Sequence, residues 1–407
     1  MRVRKISRVH EDLVDIIRKV AAVTNITNIE NFVEYGTDEI DSFLSWIHKV
    51  NIKGVRDGVL VNIKVMIKWH SNPIDRKCFR ASYHREYVFY EIIVPNVIKL
   101  QRGFSIIEGL KIKFPNCALA SIVHDKETIA IYMSNDTRPL DRFQKIDFAH
   151  TSLVLKNLAK LHALSFALQK LYPDDFEMIR NLCAKDIQYA DLESIPKCLI
   201  SYYKSSINVI SKPVAKAKLE VITPNILALL NKCSAPVPNY STICHGDCWN
   251  NNILFKYQGK RPVDVLFVDY QLVRYASPVT DISYFLYMSA DQKLLSKHYY
   301  QLLDIYFGTL TAVLRQCNLN IDDIYPRNIF LRHLRDYSVL GLLEALISLK
   351  ITTAETEDAL KITDMKYHAE EPCQYETQNQ SMYVERVNGV VTDFFERNYS
   401  LDAILKQ

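Results

Sequence analysis

The spacing of apolar residues changes once along this chain, near Asp147, and that change limits the folds open to it. Before it, the apolar residues come in short β-branched and aromatic runs. LSWIHKVNI (44–52) and LVNIKVMIKW (60–69), with Gly54 and Asp57-Gly58 between them, predict an antiparallel hairpin. ALASIVHD (118–125) and TIAIYMS (128–134) predict two further strands with a turn near Asp125-Lys126. Between the pairs, SYHREYVFYEIIV (82–94) has helical spacing and is expected to end at Pro95. After Asp147, HTSLVLKNLAKLHALSFALQKL (150–171) places Leu153, Leu155, Leu158, Leu161 and Leu164 at helical spacing. Helical patterns then dominate, apart from NILF (252–255) and DVLFVD (264–269) on either side of a turn at Gln258-Gly259. The expectation is an α+β chain: a small β-rich N-terminal lobe, residues 1–135, then a large, mainly helical C-terminal lobe, residues 136–407. A length of 407 residues allows two such cores.

Several classes of protein are disfavoured. Net charge is +4 with no lysine or arginine run, which leaves no electrostatic footprint for nucleic acid. MRVRKISRVHEDLVDIIRKV carries Leu13, Ile16, Ile17 and Val20 on one helical face and lacks the continuous apolar stretch of a signal peptide. SVLGLLEALISL from Ser338 is broken by Glu344 and fits a buried helix, so no membrane span is expected. Nine cysteines contain no C-x-x-C pair, and reduced thiols in the cytoplasm are the expected state.

CHGDCWNNNILF (244–255) concentrates His245, Asp247 and three asparagines, poor formers of helix and strand, just before a short apolar strand. Turn formation alone would explain an asparagine-rich loop. Its company argues for more. Asn252 follows Asp247 by five residues, and VDYQ (268–271) puts a second acid, Asp269, at the end of the next strand. Phosphoryl transfer from ATP needs such a set: one carboxylate to orient and deprotonate the attacking hydroxyl, and an amide and a second carboxylate to hold Mg²⁺. Upstream, Val65-Met66-Ile67-Lys68 ends an apolar strand in a lysine, and Glu86 lies in the following helix. A strand lysine reaching phosphates, oriented by a helix glutamate, belongs to the same chemistry. Alone, Lys68 reads as a solvated strand residue; the ordered set of five is the signal.

HGDCWNNNILF, VDYQ and SPVTDISYFLY resemble the insect ecdysteroid kinase-like proteins, relatives of choline and aminoglycoside phosphotransferases. The resemblance extends through KWHSNPIDRKCFRASYHREYVFYEIIVP, DFAHTSLVLKNLAKLHALSFAL and VVTDFFERN, most of the chain. It implies a protein-kinase-like two-lobe fold, ATP and Mg²⁺ as cofactors, and a small-molecule alcohol such as an ecdysteroid as acceptor. It also implies roles: Asp247 the catalytic base, Asn252 and Asp269 the metal ligands, Lys68 the phosphate-binding lysine, Glu86 its partner. His245 and Asp281 would support the catalytic loop. Trp249 and Tyr270 are read as packing residues, and the chain is expected to act as a monomer. The acceptor is expected against the helices around 170–235 and 290–350, where Tyr202, Tyr203, Tyr299 and Tyr300 lie; most tyrosines there would simply pack.

Two stretches depart from the family's pattern. YGTDEIDSFLSWIHKV (35–50) has a single glycine where a nucleotide loop is expected, and carries Asp38, Glu39 and Asp41. Facing phosphates, those acids would weaken ATP binding; facing solvent, they would not. YMSND (132–136) stands where the family's hinge reads L-E-D-L. These departures keep a second reading in view, a kinase-fold protein that binds a ligand without turnover. A protein kinase is a weaker third, since no A-P-E-like segment follows Gln271.

Overall fold

The computed structural model describes residues 11–34, 47–70, 73–141, 143–183, 194–368 and 375–403. The loop carrying Gly36, Asp38, Glu39 and Asp41 lies outside them.

The chain opens with helix α1 (Glu11–Val23), then strands β1 (Thr27–Glu34), β2 (Ile47–Arg56) and β3 (Val59–Lys68). Helix α2 (Pro73–Val88) runs through a wide π turn (Phe89–Ile93) into α3 (Val94–Gly103), and β4 (Cys117–Ser121) and β5 (Thr128–Tyr132) follow. These strands form one antiparallel sheet in the order β1-β2-β3-β5-β4. The hairpin expected from sequence is present, turning at Asp57-Gly58 with both residues at positive φ, as a tight turn requires.

Strand alternation decides which side of the sheet each residue serves. Val50 and Ile52 of β2 and Val65 and Ile67 of β3 point to α1, whose Leu13, Ile16, Ile17 and Val20 close a small core with Trp69 and Ala130. Met66 packs into the main core on the opposite face, and Lys68, two residues on, shares that face with it. So the same period that buries Ile67 under α1 delivers the Lys68 ammonium to the α2 side.

One expectation fails here: Pro95 does not end the helix. The π turn makes a Val94 N–H to Phe89 carbonyl bond, and the chain continues as α3 with Pro95 in its first turn. Proline lacks an N–H and clashes with the carbonyl one turn back, but the widened turn relieves both demands. Asn96 Nδ2 supplies a donor to the Ile92 carbonyl at 2.8 Å. The turn also points both Phe89 and Tyr90 inward, and Tyr270 stacks on Phe89 with ring centroids 3.4 Å apart.

The rest is mainly helical: β6 (Thr137–Pro139), α4 (Phe148–Leu171), α5 (Pro173–Cys183), α6 (Ser194–Asn208), α7 (Pro213–Ile222) and α8 (Ile226–Ser234) precede the loop region. That region holds β7 (Thr242–Cys244), β8 (Ile253–Gln258), β9 (Arg261–Phe267) and β10 (Arg274–Ala276). Among the described residues, the helices that follow are α9 (Val279–Ser289), α10 (Gln292–Gln316), α11 (Ile321–Ile324), α12 (Arg327–Tyr337), α13 (Val339–Thr352), α14 (Thr356–His368) and α15 (Gln380–Glu396). Helix α4 starts where the spacing changes, capped by the Asp147 carboxylate accepting from the His150 N–H at 2.9 Å. Its wide apolar surface is buried almost throughout, which makes it the spine of the helical core. The predicted hairpin of β8 and β9 is present, with β6 added at the edge of β8. β7 and β10, three residues each, pair Cys244 with Arg274 and Ile243 with Tyr275. No helix among the described residues is long and apolar enough to cross a membrane.

Candidate active site

The structure brings all seven candidate residues into two adjoining hydrogen-bonded groups. In the first, Lys68 Nζ lies 2.9 Å from Glu86 Oε2 and 2.6 Å from Asp269 Oδ1, all three side chains being buried. Burial works against the Lys68 charge, yet the charges of Asp269 and Glu86 hold its pKa above the usual lysine value. Burial pushes the Glu86 carboxyl up, against the pull of Lys68. The Tyr270 N–H donates to Glu86 Oε1 at 3.3 Å, which ties α2 to the segment after β9. Asp269 sits at φ +65°, the left-handed region that a short acidic side chain tolerates. Its second oxygen accepts from Gln271 Nε2 at 3.2 Å.

The second group is the loop after β7. Asp247 Oδ1 accepts from the Tyr284 hydroxyl at 2.6 Å, and Oδ2 accepts from Asn252 Nδ2 at 3.0 Å. Burial, then the negative charge of Asp269, push the Asp247 carboxyl up to about 7. Asn252 Nδ2 also donates to the Asp247 carbonyl at 2.9 Å, so its Oδ1 is the amide atom left to offer a ligand. The Val268 N–H bonds the Asn252 carbonyl at 3.0 Å, which sets the residue before Asp269 beside Asn252. Asn252 and Asp269 thus present oxygen donors at the same end of one hairpin, the donor type a hard divalent cation such as Mg²⁺ takes.

A support network fixes this loop. Asp281, fully buried on α9, accepts from the His245 N–H at 2.6 Å and the Gly246 N–H at 2.9 Å. His162 Nε2 lies 3.1 Å from the same carboxylate, and the other ring nitrogen meets the Tyr306 hydroxyl at 2.8 Å. Burial works to raise the Asp281 carboxyl, but the His162 bond and nearby positive charge hold it below the usual range. His162, Cys244 and Asp281 place ligand-type atoms within 4.8 Å of one another. All three are fully buried, and Asp281 accepts from the loop's own backbone, so the trio reads as a buried brace. His245 Nε2 donates to the Val268 carbonyl at 3.1 Å while Nδ1 accepts from the Asp247 N–H at 3.2 Å. Burial lowers its pKa, which suits a neutral ring with one fixed tautomer. Gly246 has φ +86°, and a Cβ there would fall 1.9 Å from the Leu272 carbonyl oxygen, so only glycine fits. Arg274 donates to the Gly246 carbonyl at 3.1 Å.

Sequence reasoning missed Tyr284, Gln271, His162 and Arg274. Tyr284 was reachable, since it stands three residues after Asp281 and shares its helix face. Gln271 and His162 stand inside the motifs VDYQ and LAKLHALS, which do not show which acid each meets, and Arg274 had no local signal. Of the tyrosines expected near the acceptor, Tyr202, Tyr203 and Tyr299 are buried with their hydroxyls bonded to Ile362 O, Leu219 O and the Tyr399 hydroxyl. Tyr300 alone of the four is exposed. In the 132–136 stretch, Asn135 accepts from Lys64 Nζ at 2.7 Å and Asp136 pairs with Lys256, so both side chains are engaged within the protein. The described cysteines are free thiols.

An antiparallel sheet backed by a helix that carries a lysine partner, followed by a helical region bearing this loop and hairpin, defines a protein-kinase-like α+β fold. The chain belongs to the ecdysteroid kinase-like family, whose model matches residues 39–319. Membership of a kinase-like family supports small-molecule phosphotransfer in general terms. Among solved structures it is similar to an ethanolamine kinase of Plasmodium vivax, at 13% identity and TM-score 0.41, over 98% of this chain and 94% of that one. A macrolide 2'-phosphotransferase of Brachybacterium faecium gives 14% and 0.39 over 88% and 99%. A GDP complex of an aminoglycoside 2'-phosphotransferase-IIIa variant gives 9% and 0.44 over 95% and 99%. Likeness at these levels carries no information on the acceptor. No curated protein gives a match.

Proposed function

We propose that this protein transfers the γ-phosphoryl group of ATP to a hydroxyl of a small molecule, an ecdysteroid or another lipophilic alcohol. The nucleotide lies between the lobes, residues 1–135 and 136–407, with Lys68 on its phosphates and Glu86 holding that lysine. Asn252 and Asp269 hold Mg²⁺, which when bound neutralises charge on the phosphates. Asp247 accepts a hydrogen bond from the acceptor hydroxyl and takes its proton. The hydroxyl oxygen bonds to the γ-phosphorus as the bond from that phosphorus to the β–γ bridging oxygen breaks, and ADP leaves with that electron pair. Tyr284 and Asn252 position Asp247, each through one of its two oxygens.

The observation that best supports this reading is the Lys68–Asp269 contact at 2.6 Å, between groups 201 residues apart. A packing scaffold gains little from burying a lysine between two acids, because desolvation offsets most of the attraction. The test is ATP turnover with an ecdysteroid acceptor, in the wild type and in Asp247→Asn. Turnover should fall by about 10²–10⁴-fold in the variant, the usual share of a general base, with affinity for an ATP analogue retained. A wild type that binds its ligand yet turns over no acceptor would establish the binder reading instead.

A further inference from the structure

The chain turns sharply just past β9, and the turn carries a side chain to which the phosphotransfer reading gives no part. Asp269 is at φ +65°, and the Val273 N–H bonds the Tyr270 carbonyl at 3.1 Å, so Gln271 takes the second position of a tight turn. The next residue, Leu272, lies against the loop carrying Asp247, since a Cβ on Gly246 would fall 1.9 Å from the Leu272 carbonyl oxygen. Gln271 is thus held in sequence between the Asp269 carboxylate and a segment packed on the Asp247 loop.

The residue is 2% exposed, and its amide is only half used. Nε2 donates to Asp269 Oδ2 at 3.2 Å, while the other oxygen of that carboxylate takes Lys68 Nζ at 2.6 Å. The amide oxygen, Oε1, accepts from no described residue and is not cut off from solvent. Both polar atoms of an amide hang on one carbon, so Oε1 stands beside the carboxylate that Nε2 holds. A buried amide with a purely structural task spends both atoms inside the protein. Gln101 does so: its Oε1 accepts from the Ile112 N–H at 2.7 Å and its Nε2 donates to the Ile112 carbonyl at 3.2 Å.

Little negative charge is left over around the Gln271 oxygen. Lys68 matches the charge of Asp269, and Asn252 and Gln271 are neutral amides. A hard divalent cation binds more tightly as carboxylate ligands are added, and magnesium held by few of them relies on phosphate oxygens. We propose that Gln271 Oε1 is a third oxygen donor to the divalent cation, beside Asn252 and Asp269, and that its neutrality makes cation binding depend on nucleotide phosphates. An acid at this position would give a site that fills with free metal; the amide gives one that fills together with the nucleotide. The inference rests on the reading of Asp269 as a metal carboxylate and is independent of which alcohol is phosphorylated.

The experiment is Mn²⁺ binding with and without ADP, followed by water-proton relaxation, which separates protein-bound Mn²⁺ from the free Mn²⁺–ADP complex. Wild type should hold Mn²⁺ at least about tenfold more tightly with ADP than without it. Gln271→Glu should tighten Mn²⁺ binding without ADP by at least about tenfold, because a carboxylate replaces a neutral donor. Gln271→His keeps the reach and the neutrality but offers nitrogen, so with ADP its preference should move from Mn²⁺ toward Co²⁺ by about tenfold. A side chain that merely orients Asp269 predicts loss of affinity in both variants, with no gain and no change of preference, and that result would overturn the inference. Equal Mn²⁺ affinity of the wild type with and without ADP would overturn it too. Should Gln271→Glu not fold, the metal preference of Gln271→His decides alone. A wild type that takes up no Mn²⁺ even with ADP would sink the phosphotransfer reading together with this inference, whereas unaltered variants of a metal-binding wild type sink the inference only.

Discussion

Replacing Asp281 with asparagine tests whether the loop carrying Asp247 is held by a single buried carboxylate. The carboxylate accepts from two backbone N–H groups, of His245 and Gly246, and meets His162 as well. An amide has one oxygen, so in either orientation its NH₂ faces one of those backbone donors. A hydrogen bond to a charged group is worth about 1.5–3 kcal/mol, and orphaning the buried N–H costs about 1–3 kcal/mol. The sum is roughly 2.5–6 kcal/mol against a total stability of about 5–15 kcal/mol, so the variant should keep a much reduced margin. The loop should loosen at Gly246, and a displacement of Asp247 by about 1 Å lowers kcat by about 10²-fold. The Asp281 pKa is depressed in the folded state, so its contribution is present above the unfolded value near 4 and lost as pH falls through the folded one. The stability gap between wild type and variant should therefore narrow below about pH 4. Urea unfolding at several pH values, with turnover at pH 7.5, measures all of this. A change in unfolding free energy under about 1 kcal/mol would refute the argument, for it would mean the loop is held by something else.

Two further outcomes follow from the site. The Asp247 carboxyl is pushed up to about 7, so in metal-free protein the stability tied to its protonated form is complete below about pH 4 and lost as pH rises through 7. Asp247→Asn should then gain on the wild type above pH 7 and not at pH 4, and thermal unfolding in EDTA across that range would expose a pH-independent difference as a contradiction. Lys68→Met leaves Glu86 and Asp269 as buried acids without their partner and should cost about 3–5 kcal/mol, with loss of ATP-analogue binding. Adding Glu86→Gln should restore part of the stability and none of the binding; denaturant titration showing no recovery would argue against a shared buried network.

The sequence by itself determined the kinds of chemistry available and the local elements that carry them. The spacing of apolar residues placed β2 and β3, α4 and the β8–β9 hairpin, because side-chain periods of two and 3.6 are properties of the backbone. The order Lys68, Glu86, Asp247, Asn252, Asp269 was legible as a set, and the structure gathers these side chains by hydrogen bonds. Pro95 misled because its penalty belongs to a regular helix, and the π turn before it exists to pack Phe89 and Tyr90 against Tyr270. Only the tertiary structure decided what meets what. Nothing local in Gly341 announces that a Cβ there would lie 2.5 Å from the Ser283 carbonyl oxygen, yet that close approach sets α13 against α9. The pairing of Tyr284 with Asp247 and the brace of His162 and Asp281 depend on how such helices pack. Local pattern fixes an element's faces; the partner across each face is chosen by burial and shape over the whole chain, and there the site acquired its geometry.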